Sequence, residues 1–215
     1  MAIRTVSLFT YRTHGQNWSQ AQIAVLRFVR ALKGERIGDR RDVQVNSIPR
    51  SLGDENADDA FEWFAQMAIT VLEDELGATG VVLVPIPDSA SALEVAKCRT
   101  CWLADAVRDR CPAQVQDVLR WNEPKRRAHD GGPRRASELL ALLRLKRPPA
   151  DLNRPFVLID DLTTGGGHIQ ACAALLRSTG ANVVLAVCAA QSDSVPRHDP
   201  YERRVVVWPD LETKD

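Results

Sequence analysis

The chain has 215 residues, 45% of them hydrophobic and 26% charged, enough for one ordinary domain with a sizeable core and a solvated surface. Lys plus Arg equals Asp plus Glu at 28 each, a balance that argues against a chain whose main task is coating nucleic acid. No apolar run approaches the roughly 20 residues that cross a bilayer, and the opening residues Met1 to Val6 lack the apolar centre of a secretory signal. The reading is a cytoplasmic protein with no membrane partner.

Taken in chain order, Thr5–Tyr11 alternates as a strand, and the residues from His14 to Asn17 break it. His14 has no partner that the sequence identifies. Ser19 with Gln22 has capping-box spacing, so a helix is expected from there to about Leu32. A charged stretch from Gly34 to Gly53 contains one short strand at Val43–Ile48. Between Ala57 and Leu76 the apolar residues fall on one helical stripe, which Gly77 ends. Val81–Val84 is a continuous apolar run, the mark of a strand buried on both faces. A tight loop, Pro85–Ser89, follows it.

A helix is then expected over Ser91–Arg110 and a strand at Val115–Leu119. Arg120–Arg135 is basic, polar and Gly-rich, and reads as a mobile loop. Next come a helix at Ser137–Leu145, a buried strand at Phe156–Ile159, a helix from Ile169 closed at Gly180, a buried strand at Val183–Val187 and an edge strand at Arg204–Trp208. Buried strands alternating with helices define an α/β fold, an open and mostly parallel sheet flanked by helices. Such sheets bind ligands at the carboxyl ends of their strands, which directs attention to the loops after Val84 and Ile159.

Five cysteines make no disulfide framework. Cys98 and Cys101 form a C-x-x-C without the second pair of a zinc ribbon, and Cys111, Cys172 and Cys188 stand alone. Small core residues in a reducing compartment account for all five, with a metal or redox role as the alternative. Trp18, Trp63, Trp102 and Trp208 read as packing residues.

The run after the second buried strand carries the strongest chemical signal. Asp160 and Asp161 are adjacent carboxylates at a strand end, expensive to bury unless something cationic or hydroxylic meets them. A Mg²⁺ with a sugar diol is such a partner. Thr163 and Thr164 follow, then Gly165, Gly166 and Gly167, then His168, opening a helix. Glycines let backbone N–H groups approach an anion, and the helix N-terminus adds partial positive charge. Diol and metal on one side with phosphate on the other describe a phosphorylated ribose. The bland reading is a capped strand-to-helix turn.

Phe156–Ile169 resembles the signature of the type I phosphoribosyltransferases: four apolar residues, two acids, two apolar residues, then a Thr-Thr-Gly-x-Thr phosphate loop. It aligns without a gap. The resemblance implies that Asp160 and Asp161 contact the ribose hydroxyls, in part through Mg²⁺, and that the 5-phosphate sits on Thr163–His168. Thr163 stands where an aliphatic residue is usual, Gly165 replaces the second Thr and His168 the last. Two hydroxyl donors are thereby lost, and a protonated His168 would restore some anion attraction.

Val82–Ser89 looks like the family's first core strand with its pyrophosphate loop. The V-P-x-P turn is nearest to the branch related to competence protein F, whose arginine- and asparagine-rich segments and N-terminal zinc ribbon are not matched. The resemblance spans roughly Val81–Ala190. It implies a single phosphoribosyltransferase-like domain, with a core over residues 56–190 and a small hood from residues 1–55 and 191–215. Asp88 and Ser89, with Lys125, Arg126, Arg127 and Arg134 of a closing basic loop, would hold pyrophosphate. A solvated loop, or Trp121 stacking on a nucleic-acid base, is the alternative for that segment. Lys97 and Arg99 fall on the preceding helix, facing either solvent or the site.

The implied activity is Mg²⁺-dependent transfer of phosphoribose from 5-phosphoribosyl-1-pyrophosphate to a base or amine that the sequence does not specify, in a chain that pairs as a homodimer. The rival is a module that binds a ribose phosphate and regulates a partner without turnover.

Overall fold

The computed structural model describes residues 1–12, 17–77, 80–89, 91, 98–126, 131–193 and 199–211. The chain opens with β1 (Ile3–Arg12) and α1 (Gln20–Leu32). Ser19 Oγ accepts from Gln22 N at 3.1 Å and Gln22 Oε1 accepts from Ser19 N at 2.9 Å, closing the capping box that the spacing announces. The single strand expected at Val43–Ile48 is a hairpin, β2 (Arg41–Val45) and β3 (Ile48–Leu52). Asn46 and Ser47, with φ of +49° and +64°, form the two-residue turn whose twist suits paired strands. α2 (Asp59–Leu76) ends on Gly77, whose φ of +68° lets its N–H reach Glu73 O at 3.0 Å.

β4 (Val81–Pro85) is followed by α3 (Arg99–Arg108). Residues 92–97 of the helix expected there, Lys97 included, lie outside the described residues, as do His14 and Arg127; Ser91 is not helical. The strand expected at Val115–Leu119 is divided. β5 (Ala113–Val115) belongs to the main sheet, and β6 (Leu119–Trp121) pairs elsewhere. At the division Gln116 N still donates to Leu83 O of β4 at 2.9 Å, and its side chain donates to Ala150 O and accepts from Ala150 N, both at 2.9 Å. The helix expected at Ser137–Leu145 likewise divides into α4 (Ala136–Leu142) and β7 (Leu143–Leu145), which pairs antiparallel with β6.

β8 (Pro155–Thr163), α5 (Gly167–Arg177), β9 (Asn182–Asp193) and β10 (Arg204–Trp208) complete the chain. The main sheet has the order β10-β1-β9-β8-β4-β5, parallel throughout except for β10. Of the segments expected to form a hood, β1 and β10 are strands of this sheet. β1 is buried along most of its length, with Thr5, Ser7 and Thr10 sealed beside the apolar Ile3, Val6, Leu8 and Phe9, as suits a position between β10 and β9. The β2–β3 hairpin stands apart from the sheet. Among the described residues no helix is long and apolar enough to cross a membrane.

Helices cover both faces. Val81, Leu83, Val157 and Ile159 pack under α1, α2 and α3. Their neighbours Val82, Val84, Phe156 and Leu158 pack with α5, α4 and the β6–β7 hairpin. From β4 the chain crosses to β5 on one side and returns to β8 on the other. The crevice at the carboxyl ends of β4 and β8 is therefore the point where strand order reverses.

Candidate functional site

β8 runs further than its apolar core, carrying Asp160, Asp161 and Thr163 as strand residues rather than loop residues. Alternation along a strand turns successive side chains to opposite faces. Asp160 therefore points to the α5 side and Asp161 to the α1–α3 side, and the pair straddles the carboxyl edge of the sheet. Both are nearly sealed, at 6% and 8% exposure. Burial first, and then the neighbouring charge of Asp161, push the Asp160 carboxyl well above the usual carboxylate range, against a hydrogen bond from Asp161 N to Asp160 Oδ1 at 2.9 Å. Asp161 faces a cation instead. Arg99 Nη2 lies 3.3 Å from Asp161 Oδ2, and Arg99 Nη1 donates to Lys33 O at 3.0 Å. The ion pair lacks hydrogen-bond alignment, and Asp161 Oδ2 is a buried oxygen without a hydrogen-bond donor.

The glycine loop joins β8 to α5. Thr163 is buried in the strand, opposite Gln191 of β9, so it stands behind the loop. Thr164 Oγ1 accepts from Ser192 Oγ at 2.7 Å. Gly165 is open to solvent, with nothing within 4 Å of the place a Cβ would occupy. Gly166 caps α5 with φ +70°, and the Trp208 ring of β10 lies where its side chain would be. A Cβ on Gly167 would collide with the carbonyl oxygen of Arg134. Two of the three glycines are thus required by close approach. The amides opening α5 have no partners within the helix and face the crevice end of β8, the arrangement that receives an anion.

The loop after β4 is tied to both features. Ile86 N donates to Ile159 O at 2.9 Å. Asp88 Oδ1 accepts from Ser91 Oγ at 2.9 Å and Oδ2 from Arg99 N at 3.2 Å, so this carboxylate organises the loop and the start of α3. Trp121 Nε1 donates to Asp88 O at 2.7 Å and Pro87 O at 3.2 Å, and Lys125 N donates to Ser89 O at 3.0 Å.

The basic segment departs from a plain mobile loop. Its first residues form β6, where Arg120 is 0% exposed and both its outer nitrogens grip Asp117. Trp121 is buried too, which removes it as a platform for a nucleic-acid base. Lys125 Nζ sits 4.7 Å over the Trp121 ring. Burial lowers the Lys125 ammonium below its ordinary value, while nearby Asp160 and Asp88 oppose that shift. Lys125 thus lies within electrostatic reach of Asp160 and Asp88. Arg126 is exposed, and Arg134 is exposed while offering its backbone to Gly167.

His168 packs against Trp121, with ring centroids 5.5 Å apart and planes at 49°. Burial, reinforced by the Lys125 charge, lowers its pKa to about 4. With no anion bound the ring is therefore neutral near pH 7, because a charge there would be desolvated beside another cation. Its Nε2 and the Trp208 Nε1 are buried without hydrogen-bond partners.

The structure thus gathers Asp160, Asp161, the glycine loop, His168, Asp88, Ser89 and Lys125 at one crevice. Two contributors carried weak sequence signals. Arg99 reads from the sequence as a helix cation facing either solvent or the site, and Trp121 as a basic-loop residue with base stacking as its alternative.

No family model matches the chain, and no curated protein matches it at a significant level. Among solved structures the fold is similar to a hypoxanthine phosphoribosyltransferase of Staphylococcus aureus. The tetragonal crystal form matches with a TM-score of 0.39 at 11% identity, over 69% of this chain and 86% of that one. The orthorhombic form matches with a TM-score of 0.36 at 11% identity, over 65% and 70%. A likeness at that level assigns neither activity nor acceptor.

Proposed function

We propose that this chain binds 5-phosphoribosyl-1-pyrophosphate with Mg²⁺ and transfers its phosphoribose to a nitrogenous acceptor, releasing pyrophosphate. The observation that carries this reading is the sealed acid pair, at the point of strand reversal, beside a glycine-opened helix. Mg²⁺ fits the donor set. Two carboxylates are the oxygen ligands a hard cation takes, Asp161 Oδ2 has no hydrogen-bond donor, and burial, with the charge of Asp161, holds Asp160 towards its neutral form. Asp160 and Asp161 would hold the ion, which when bound supplies positive charge to the donor's hydroxyls and phosphate oxygens.

The chain's own groups do the positioning. Asp160 and Asp161 accept hydrogen bonds from the ribose hydroxyls, and the amides of residues 165–168 receive the 5-phosphate. Lys125, with Arg126, Arg127 and Arg134 of the same segment, draws on the pyrophosphate, and the backbone of Asp88 and Ser89 borders it. As the bond from C1 to pyrophosphate oxygen breaks, the acceptor nitrogen bonds to C1 and gives up a proton. Preorganised charge is the main catalytic contribution in such a step.

A second reading, binding without turnover, is favoured by a specific feature. The phosphate loop has no hydroxyl at Gly165 and a neutral ring at His168. Calorimetry with donor and Mg²⁺ tests the site. Binding to the wild type and its loss in Asp160→Asn/Asp161→Asn are expected, and equal affinity would remove the assignment. Pyrophosphate release with a panel of bases and amines separates the two readings, because a sensor binds donor and releases nothing.

A further inference from the structure

We infer that Cys98 and Cys101 are a redox-active dithiol that closes to a disulfide at the foot of Arg99. The two sulfurs lie 2.7 Å apart, and the residues are 2% and 1% exposed. Helix geometry sets this approach. Cys98 is the N-cap of α3, with φ −88° and ψ 159°, and Cys101 is its third helical residue, whose N–H donates to Cys98 O at 3.1 Å. N-cap and third residue face each other across a first turn, the relation that lets a serine cap reach the third amide. Here both side chains are thiols.

The two sulfurs are unequal. Cys98 stands at the positive end of α3, where a thiolate is favoured. The hydrogen bond from Cys101 lowers the Cys98 thiol below its ordinary value, against burial. The same contact, with burial, raises Cys101. Cys98 is thus the attacking sulfur and Cys101 the resolving one.

A metal site is the competing use. Asp117 brings an oxygen within 4.8 Å of both sulfurs. That carboxylate, however, is gripped through both oxygens by the fully buried Arg120. A guanidinium in that position repels a cation and engages one lone pair on each oxygen, which favours leaving the sulfurs to each other.

Buried sulfurs admit a small oxidant, and a hydroperoxide balances the step. The Cys98 thiolate attacks one peroxide oxygen, the O–O bond breaks and the other oxygen leaves as water or alcohol, giving Cys98 sulfenic acid. Cys101 loses its proton and attacks the Cys98 sulfur, expelling the sulfenic oxygen as water. Two thiols are oxidised to one disulfide and one peroxide bond is reduced.

The turn that closes carries site contacts. Arg99 N binds Asp88 Oδ2 at 3.2 Å, Thr100 Oγ1 donates to Ile86 O at 2.6 Å, and the Arg99 guanidinium meets Asp161. Oxidation therefore acts on the segment that joins the loop after β4 to the acid pair.

Trypsin makes the test direct, because it cleaves after Lys97, Arg99 and Arg108. The folded chain is exposed to graded hydrogen peroxide, denatured, alkylated and digested. The expected product is Cys98-Arg99 linked to Thr100–Arg108, two hydrogens lighter than the separate peptides. It should form at doses that leave Cys172 and Cys188 alkylated, and dithiothreitol should reverse it. In Cys101→Ser, dimedone should trap a Cys98 sulfenic acid. Full alkylation of Cys98 and Cys101 at doses that oxidise Cys111 would overturn the inference. So would one equivalent of zinc released when the thiols are blocked, since the sulfurs would then be metal ligands.

Discussion

Arg99 Nη2 stands 3.3 Å from Asp161 Oδ2 while its Nη1 donates to Lys33 O at 3.0 Å, so one guanidinium joins the end of α1 to the second acid of β8. Removing it in Arg99→Leu leaves a buried carboxylate without a counter-charge, and a loss of about 1–3 kcal/mol of stability is expected. Mg²⁺ should restore more of that loss than it adds to the wild type, because binding to the folded state alone stabilises it. Thermal unfolding with and without Mg²⁺ measures both effects. An identical Mg²⁺ response in the two proteins would mean that the ion does not share Asp161 with Arg99.

Asp160 has the opposite problem, a carboxyl whose pKa burial, and then the charge of Asp161, raise well above the usual carboxylate range. Its folded pKa is raised, so between the unfolded carboxylate range and that raised value the unfolded chain loses a proton that the folded chain keeps. Stability is therefore lost as pH rises through that window. Asp160→Asn should remove this loss, raising stability near neutral pH by roughly 1–3 kcal/mol, while abolishing Mg²⁺-dependent donor binding. Denaturant unfolding from pH 4 to 8 reads the first effect and calorimetry the second. A variant less stable than wild type at pH 7 would show that Asp160 is a structural anion.

Much of this was legible in the sequence, for identifiable reasons. The parallel strands announce themselves because burial on both faces forces apolar runs, as in Val81–Val84 and Phe156–Ile159. The capping box at Ser19 and the glycine stop at Gly77 are local signals, and they appear where local chemistry puts them. The hairpin at Asn46-Ser47 was missed because two non-glycine residues at positive φ carry little compositional warning. The basic segment misled for a tertiary reason. Arg120 and Trp121 look solvent-seeking until Asp117 and the loop carbonyls of Pro87 and Asp88 are placed beside them. The acid pair was readable as a site, but its division between the two faces of the sheet needed the strand to continue past Ile159.

Gly166 and Trp208 test whether the phosphate loop is held from the β10 side. In Gly166→Ala the new methyl group meets the Trp208 ring, and φ +70° is a strained conformation for alanine. Together these should cost about 2–4 kcal/mol. Trp208→Ala relieves the collision but not the backbone strain, so the double variant should be more stable than the sum of the single effects by about 1 kcal/mol or more. Additive effects in urea unfolding would show that the ring yields freely.

His168 supplies the last prediction, for the acid limb of stability. Its folded pKa is lowered from 6.5 to about 4 by burial and by Lys125. Above pH 6.5 both folded and unfolded chains hold it neutral, and it contributes no pH dependence. As pH falls from 6.5 towards 4 the unfolded chain takes up a proton that the folded chain refuses, so stability falls by an amount that grows to roughly 3 kcal/mol. Below about pH 4 both states bind the proton and the loss levels off. His168→Gln keeps a polar side chain in the same packing against Trp121 without a titrating ring, and should flatten this part of the profile. Urea unfolding at pH 7 and pH 4.5 measures the difference: the variant should lose about 2–3 kcal/mol less than the wild type over that interval. Equal losses in the two proteins would place the proton on His168 in the folded state, and the imidazolium would then be available to a phosphate after all.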